Sequence, residues 1–278
     1  MSDWPSANVT ANGISIHYHR TGGLKPPVVL SHGFSDNGLC WIRLAQALSG
    51  DYDLIMPDAR GHGLSDAPQE GYEDTDRSAD LAGLIQALDL DRPALIGHSM
   101  GAATTAMTAA RYPKLVGRIV LEDPPWFDED SPWAEHRMNL SQEEREEQTR
   151  QFLARLTDQK NQSIAEIIAA GREQTPTWDD VEWEPWARSK QQLSPNVVQA
   201  RSRTRTEWSD LVPDIRCSTL LVTGSPDKGA IVTNKIADLA AQTNPLIEVV
   251  HLEGAGHNIR RERFAGFVEA VRAFLSAS

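Results

Sequence analysis

LIGHSMGAA, residues 95–103, places a serine two residues from a glycine on either side. Apolar, β-favouring residues precede it and small residues follow. The pattern predicts a buried strand that ends at Ser99, a sharp turn, and a helix that begins at once. In such a joint the serine hydroxyl is lifted above the sheet, and Gly97 and Gly101 keep side chains out of a crowded turn. The new helix aims its N-terminus at the serine. It brings a positive dipole end and the Met100 N–H.

Working outward, the same rhythm repeats. VVLSHG is a short apolar run after Pro26-Pro27, and residues 39–48 carry apolar residues at helical spacing. YDLIMPD reads as a strand and residues 76–90 as an amphipathic helix. Residues 115–123 form another strand. ISIHYHR (14–20) alternates as a half-buried strand after the Asn12-Gly13 turn. Strands alternating with helices predict a mostly parallel sheet with helices on both faces. The rhythm stops near residue 124 and resumes at STLLVTG (218–224), continuing through a helix near 230–242, LIEVVHL and a last helix near 259–275. Residues 124–212 are polar, helix-favouring and rich in tryptophan. The expected organisation is an α/β core of residues 1–123 and 213–278, with 124–212 inserted as a helical cap.

Composition narrows the function. Of 278 residues, 27 are Lys or Arg and 39 are Asp or Glu, a formal charge of −12. That balance argues against nucleic-acid binding, which needs a basic surface, and against a polybasic membrane anchor. No run approaches a membrane span. The opening MSDWPSANVTANG lacks the basic start and apolar run of a leader. With only Cys40 and Cys217, a reduced cytoplasmic setting is expected. No Cys/His cluster has metal-ligand spacing, so neither metal nor cofactor is expected.

The elbow is joined by further motifs. TGSPD puts Asp227 beyond a strand, and GAGH puts His257 after the last one. SHGF (31–34) follows a core strand, and DARGHGLSD (58–66) follows another. Together these resemble the α/β-hydrolase-fold enzymes over nearly the whole chain. The resemblance implies an eight-stranded sheet with an inserted cap, and a triad in the order serine, acid, histidine. Ser99 is then the nucleophile, His257 the base and Asp227 the acid. LEDPPW offers Asp123 as the alternative acid. The N–H groups of Phe34 and Met100 would form the oxyanion hole. Asp58, Arg60 and His62 are expected to be structural. Trp126, His32 and His98 are the candidates to touch substrate, and His251 is expected to pack within its strand.

The implied activity is cleavage of a carboxylic ester, lactone or amide of a small, apolar substrate. Haloperoxidase-like or carbon–carbon bond hydrolysis on the same triad is an alternative, and so is a non-enzymatic small-molecule receptor. The partner expected is a small molecule.

Overall fold

The computed structural model describes residues 4–128, 131, 140–199 and 206–277. Eight strands form one sheet: β1 (Ser6–Ala11), β2 (Ile14–Arg20), β3 (Pro27–Ser31), β4 (Asp53–Pro57), β5 (Ala94–His98), β6 (Arg118–Glu122), β7 (Ser218–Thr223) and β8 (Ile247–His251). Their order is β1-β2-β4-β3-β5-β6-β7-β8. The β1–β2 and β2–β4 pairs are antiparallel and all others parallel.

The inner strands bury both faces, which explains their unbroken apolar runs. Side chains alternate between two cores. Val29, Leu95, Ile119 and Leu121 enter one, with residues of α2 (Asp74–Ala87), α3 (Met100–Arg111) and α9 (Asn234–Thr243). Leu30, Ile96, Val120 and Val222 enter the other, with α1 (Ile42–Leu48) and α11 (Phe264–Ser276). Between β6 and β7, among the described residues, run α4 (Gln142–Asn161), α5 (Ile164–Gln174), α6 (Asp180–Gln192), α7 (Asn196–Gln199) and α8 (Trp208–Leu211). Capping boxes at Ser141/Glu144 and Ser163/Glu166 start α4 and α5.

Local departures from the expected elements have identifiable causes. β1 is polar and mostly exposed, so no apolar alternation marks it. It exists because Asn12 and Gly13 both take left-handed φ, +48° and +79°, and close a hairpin onto β2. The expected 39–48 helix opens as a 3₁₀ turn, Gly38–Trp41, before α1. The final helix splits at Arg263 into α10 (Ile259–Glu262) and α11. His251 lies in β8 but is exposed, because β8 is an edge strand.

The turn at Ser99 depends on two glycines. A Cβ on Gly97 would lie 2.3 Å from the Gly101 carbonyl oxygen, and one on Gly101 would lie 2.1 Å from that of Ser31. Both neighbours are backbone and cannot swing aside. Gly101→Ala is expected to destabilise the fold by about 3 kcal/mol or more, read as a lowered urea midpoint. A midpoint equal to wild type would contradict the close approach of α3 to β3.

Candidate active site

Ser99 sits between β5 and α3 with φ +51° and ψ −117°, a combination rarely adopted outside glycine. It is half-buried. Its N–H donates to the Glu122 carbonyl at 3.0 Å, and its carbonyl accepts the Ala103 N–H at 3.0 Å. The joint is thus held from both sides. The expected strand, sharp turn and helix are present.

The loop after β3 lies against it. Gly33 has room only for hydrogen: a Cβ there would be 2.6 Å from His98 Nδ1 and 3.5 Å from Ser99 Cβ. Phe34 follows directly and is half-buried, its ring 5.6 Å from that of Phe152 on α4. Met100 is the first residue of α3, where helical N–H groups have no partner within the helix. The two expected oxyanion donors therefore flank Ser99 on neighbouring segments.

His257 is joined to Asp123, not to Asp227. Its Nδ1 lies 2.6 Å from Asp123 Oδ2. Asp123 is completely buried at the end of β6, with a left-handed φ of +42°. Both of its oxygens already accept backbone N–H groups, from Ile231 at 2.9 Å and 3.1 Å and from Val232 at 2.9 Å. The carboxylate therefore accepts the Nδ1 proton, and Nε2 keeps its lone pair. Asp227 falls in the turn Pro226–Lys228 with its side chain 74% exposed, and its ion pair is with Lys228 at 3.9 Å. The expectation that Asp227 partners His257 is corrected. The loop after β7 supplies backbone donors to Asp123, through Ile231 and Val232, rather than a carboxylate to His257.

The three residues expected to touch substrate turn out to be packed. Buried His32 uses both ring nitrogens on backbone: Nδ1 donates to the Gly33 carbonyl at 2.8 Å and Nε2 accepts from the Ala59 N–H at 3.0 Å. His98 donates from Nε2 to the His257 carbonyl at 2.9 Å, so it holds the loop that carries His257. Trp126 is buried and stacks on Trp208 at 5.6 Å. Trp178, Trp183 and Trp186 pack on one another. These tryptophans therefore form packing contacts in and under the helical segment. Trp133 and His136 lie outside the described residues.

Asp58, Arg60 and His62 brace the loops around the site. Asp58 accepts from His17 Nδ1 at 2.9 Å and from the N–H groups of Gly38 and Leu64. Arg60 pairs with Asp80 at 2.5 Å. His62 packs on Phe34, and burial pushes it down to about 3 from the ordinary 6.5, with His32 adding to the effect. Burial also lowers His32 and His98. These histidines are neutral in the fold but charge near pH 6.5 in the unfolded chain. For His62 the unfolded state binds the extra proton between pH 6.5 and about 3, so stability is lost as pH falls, and the lowered His32 and His98 act in the same direction. Unfolding free energy is expected to drop between pH 7 and pH 5, with His62 contributing about 1.4 kcal/mol per pH unit in the titrating range. His62→Gln should flatten that slope in urea titrations; an unchanged slope would contradict the assignment.

Sequence reasoning missed a buried ionic cluster beside the site. Asp36, two residues past Phe34, meets Lys190 Nζ at 3.3 Å, Arg260 Nη2 at 3.3 Å and Arg261 Nη2 at 3.1 Å. Glu122 accepts from the Arg260 N–H at 2.8 Å and guanidinium at 3.2 Å, and Glu182 on α6 pairs with Arg261 at 2.9 Å. All six side chains are buried. Burial alone would raise the Asp36 carboxyl, but Arg261, Lys190 and Arg260 hold it well below the usual carboxylate range. Glu122 is pushed up by burial, which Arg260 opposes. The one advance signal was the charge pair Arg260-Arg261 soon after His257; its acidic partners are remote in sequence.

Among the described residues no group of His, Cys, Asp and Glu is placed to hold a metal, and no helix is long and apolar enough to cross a membrane. The model of the alpha/beta hydrolase fold family matches residues 26–260. The 2-(acetamidomethylene)succinate hydrolase of Mesorhizobium japonicum is 30% identical, over 93% of this chain and 91% of its own length. The N-formylmaleamate deformylase of Pseudomonas putida is 28% identical, over 96% and 95%. The crystal structure of E-2-(acetamidomethylene)succinate hydrolase superposes with a TM-score of 0.79 at 24% identity, covering 99% of this chain and 100% of that one, a likeness of fold. With the elbow, the sheet order and a family match across both, the chain belongs to the alpha/beta hydrolase family, as a hydrolase of small molecules.

Proposed function

We propose that this protein is a serine hydrolase that cleaves an acyl bond, as in an ester, lactone or amide, through an acyl-enzyme on Ser99. The observation that carries this reading is the 2.6 Å bond from His257 Nδ1 to buried Asp123, which leaves Nε2 as a base, combined with the strained Ser99 turn. A serine hydroxyl is a weak nucleophile until its proton is taken. His257 Nε2 takes that proton as Ser99 Oγ bonds the carbonyl carbon. The carbonyl oxygen becomes an oxyanion held by the Met100 and Phe34 N–H groups. His257 then gives the proton to the leaving amine or alcohol as its bond to carbon breaks. Water, deprotonated by the same nitrogen, attacks the acyl-enzyme, and the proton returns to Ser99 as the acid departs. Asp123 fixes the tautomer and stabilises the imidazolium throughout.

Among acyl bonds the amide is favoured. The two relatives named above, which match nearly the whole chain, are named for N-acyl compounds, an acetamido and an N-formyl one. Residues 124–212 act as the cap in this reading. Its α4 brings Phe152 onto Phe34, so these two rings, rather than the tryptophans, would meet an apolar part of the substrate.

The test pairs turnover with capture. p-Nitrophenyl acyl esters and N-formyl and N-acetyl amides are offered in turn, and a fluorophosphonate adduct is located by peptide mass spectrometry. Hydrolysis with the adduct on Ser99 is expected. Hydrolysis without an adduct there would move the chemistry elsewhere. Saturable ligand binding without turnover would point to a receptor instead.

A further inference from the structure

Phe34, whose N–H is the second donor in the mechanism above, belongs to a four-residue turn. Asp36 N–H donates to the Gly33 carbonyl at 3.1 Å and closes it. Ser35 takes φ +63° at the third position, while Phe34 is not left-handed. That is the pattern of a type II turn, which favours glycine where this chain has serine. A serine persists in such a conformation only when its surroundings hold it there.

The holding groups come from the inserted segment. On α6, Lys190 Nζ donates to the Ser35 carbonyl at 2.8 Å, and Ser189 Oγ lies 2.9 Å from the same carbonyl, its single proton shared with the Trp186 carbonyl at 2.7 Å. Nζ also lies 3.0 Å from Ser35 Oγ and 3.3 Å from Asp36 Oδ1. An ammonium has three N–H donors, so residues 35 and 36 engage all of them. Lys190 is buried and its Nζ lies 4.9 Å from the Trp186 ring centre. Asp36 is also gripped by Arg260 and Arg261, just beyond His257. One carboxylate thus ties together the oxyanion turn, the base loop and α6.

We propose that Lys190 is a positioning residue of the oxyanion hole: its ammonium pins the left-handed Ser35 and so aims the Phe34 N–H. This rests on the serine-hydrolase reading. It gives the inserted segment a part in catalysis beyond covering the site, and makes α6 its fixed part, since lifting α6 would release the turn.

The test separates kcat from KM on an ester that wild type hydrolyses. Removing an oxyanion donor outright costs about 10²–10³ in kcat, so a misaimed one should cost about 10–100-fold. Lys190→Met is expected to show that loss with KM within about twofold, and Ser35→Gly added to it should recover part of kcat, because glycine takes φ > 0 without support. If Lys190→Met does not fold by circular dichroism, Lys190→Gln is read in the same way. A folded variant with wild-type kcat, or with raised KM and intact kcat, overturns the clamp. Wild type that neither hydrolyses esters nor labels at Ser99 removes the hydrolase reading and the clamp with it. Active wild type beside an equally active Lys190→Met removes the clamp alone.

Discussion

Ser99→Ala is expected to lower kcat by about 10⁶-fold on any substrate the protein turns over, with KM little changed. The residue occupies the strained turn between β5 and α3, and in the proposed reaction no acyl-enzyme can form without its Oγ. The turn itself should survive. Ser99 makes its structural bonds through backbone N–H and C=O, to Glu122 and Ala103, and alanine keeps both. The unfolding midpoint should therefore stay within about 0.5 kcal/mol of wild type. An alanine in place of serine at φ +51° is equally strained, so the substitution neither relieves nor adds backbone cost. Steady-state kinetics with fluorophosphonate labelling checks the first part and urea unfolding the second. Retained turnover at a tenth of wild type or better would take the nucleophile away from Ser99.

The second large effect concerns the acid. Asp123→Asn is expected to cost about 10³–10⁴ in kcat, while Asp227→Asn stays near wild type. The asymmetry follows from what each carboxylate touches. Asp123 is buried and accepts from His257 Nδ1 and from two backbone N–H groups. An asparagine can satisfy Ile231 and Val232 with its oxygen, but then turns an amide N–H toward Nδ1. That favours the tautomer with its proton on Nε2, where a base needs a lone pair. Asp227 is exposed and touches only its neighbour Lys228 among charged groups described, so its loss removes a solvated surface charge. Comparing kcat/KM for the two variants, with circular dichroism to verify folding, decides the matter. Loss in Asp227→Asn and activity in Asp123→Asn would reverse the assignment.

That two carboxylates compete for His257 in one dimension follows from the sheet. β6 and β7 are parallel neighbours, so residues just past their ends reach the same edge of the site. LEDPP and TGSPD each place a carboxylate there. What separates them is how each chain turns after its strand. Asp123 takes a left-handed φ that carries its side chain inward. The Pro226–Lys228 turn leaves Asp227 in solvent and then brings the Ile231 and Val232 amides back to Asp123. Pro226 and Gly229, the latter at φ +96°, mark the second turn in the chain, but nothing in either pattern says which carboxylate it leaves facing inward. The tryptophans misled for a related reason. Their abundance in the inserted segment is visible in the chain, but whether an indole faces a substrate or another indole is set by packing, and Trp126 faces Trp208.

The sequence by itself determined the α/β rhythm, the place of the insertion, the serine elbow and the histidine after the last strand. Each of these rests on local properties: apolar periodicity, glycine where a Cβ cannot fit, and a strand running straight into a helix. The tertiary structure alone decided which carboxylate meets His257 and which remote groups hold the turn at Phe34 and Ser35. Lys190 lies 155 positions from Ser35 along the chain. A lysine on a charged helix carries no mark of the one carbonyl it will clamp, because that pairing exists only once β3, the inserted helices and the C-terminal segment have packed together.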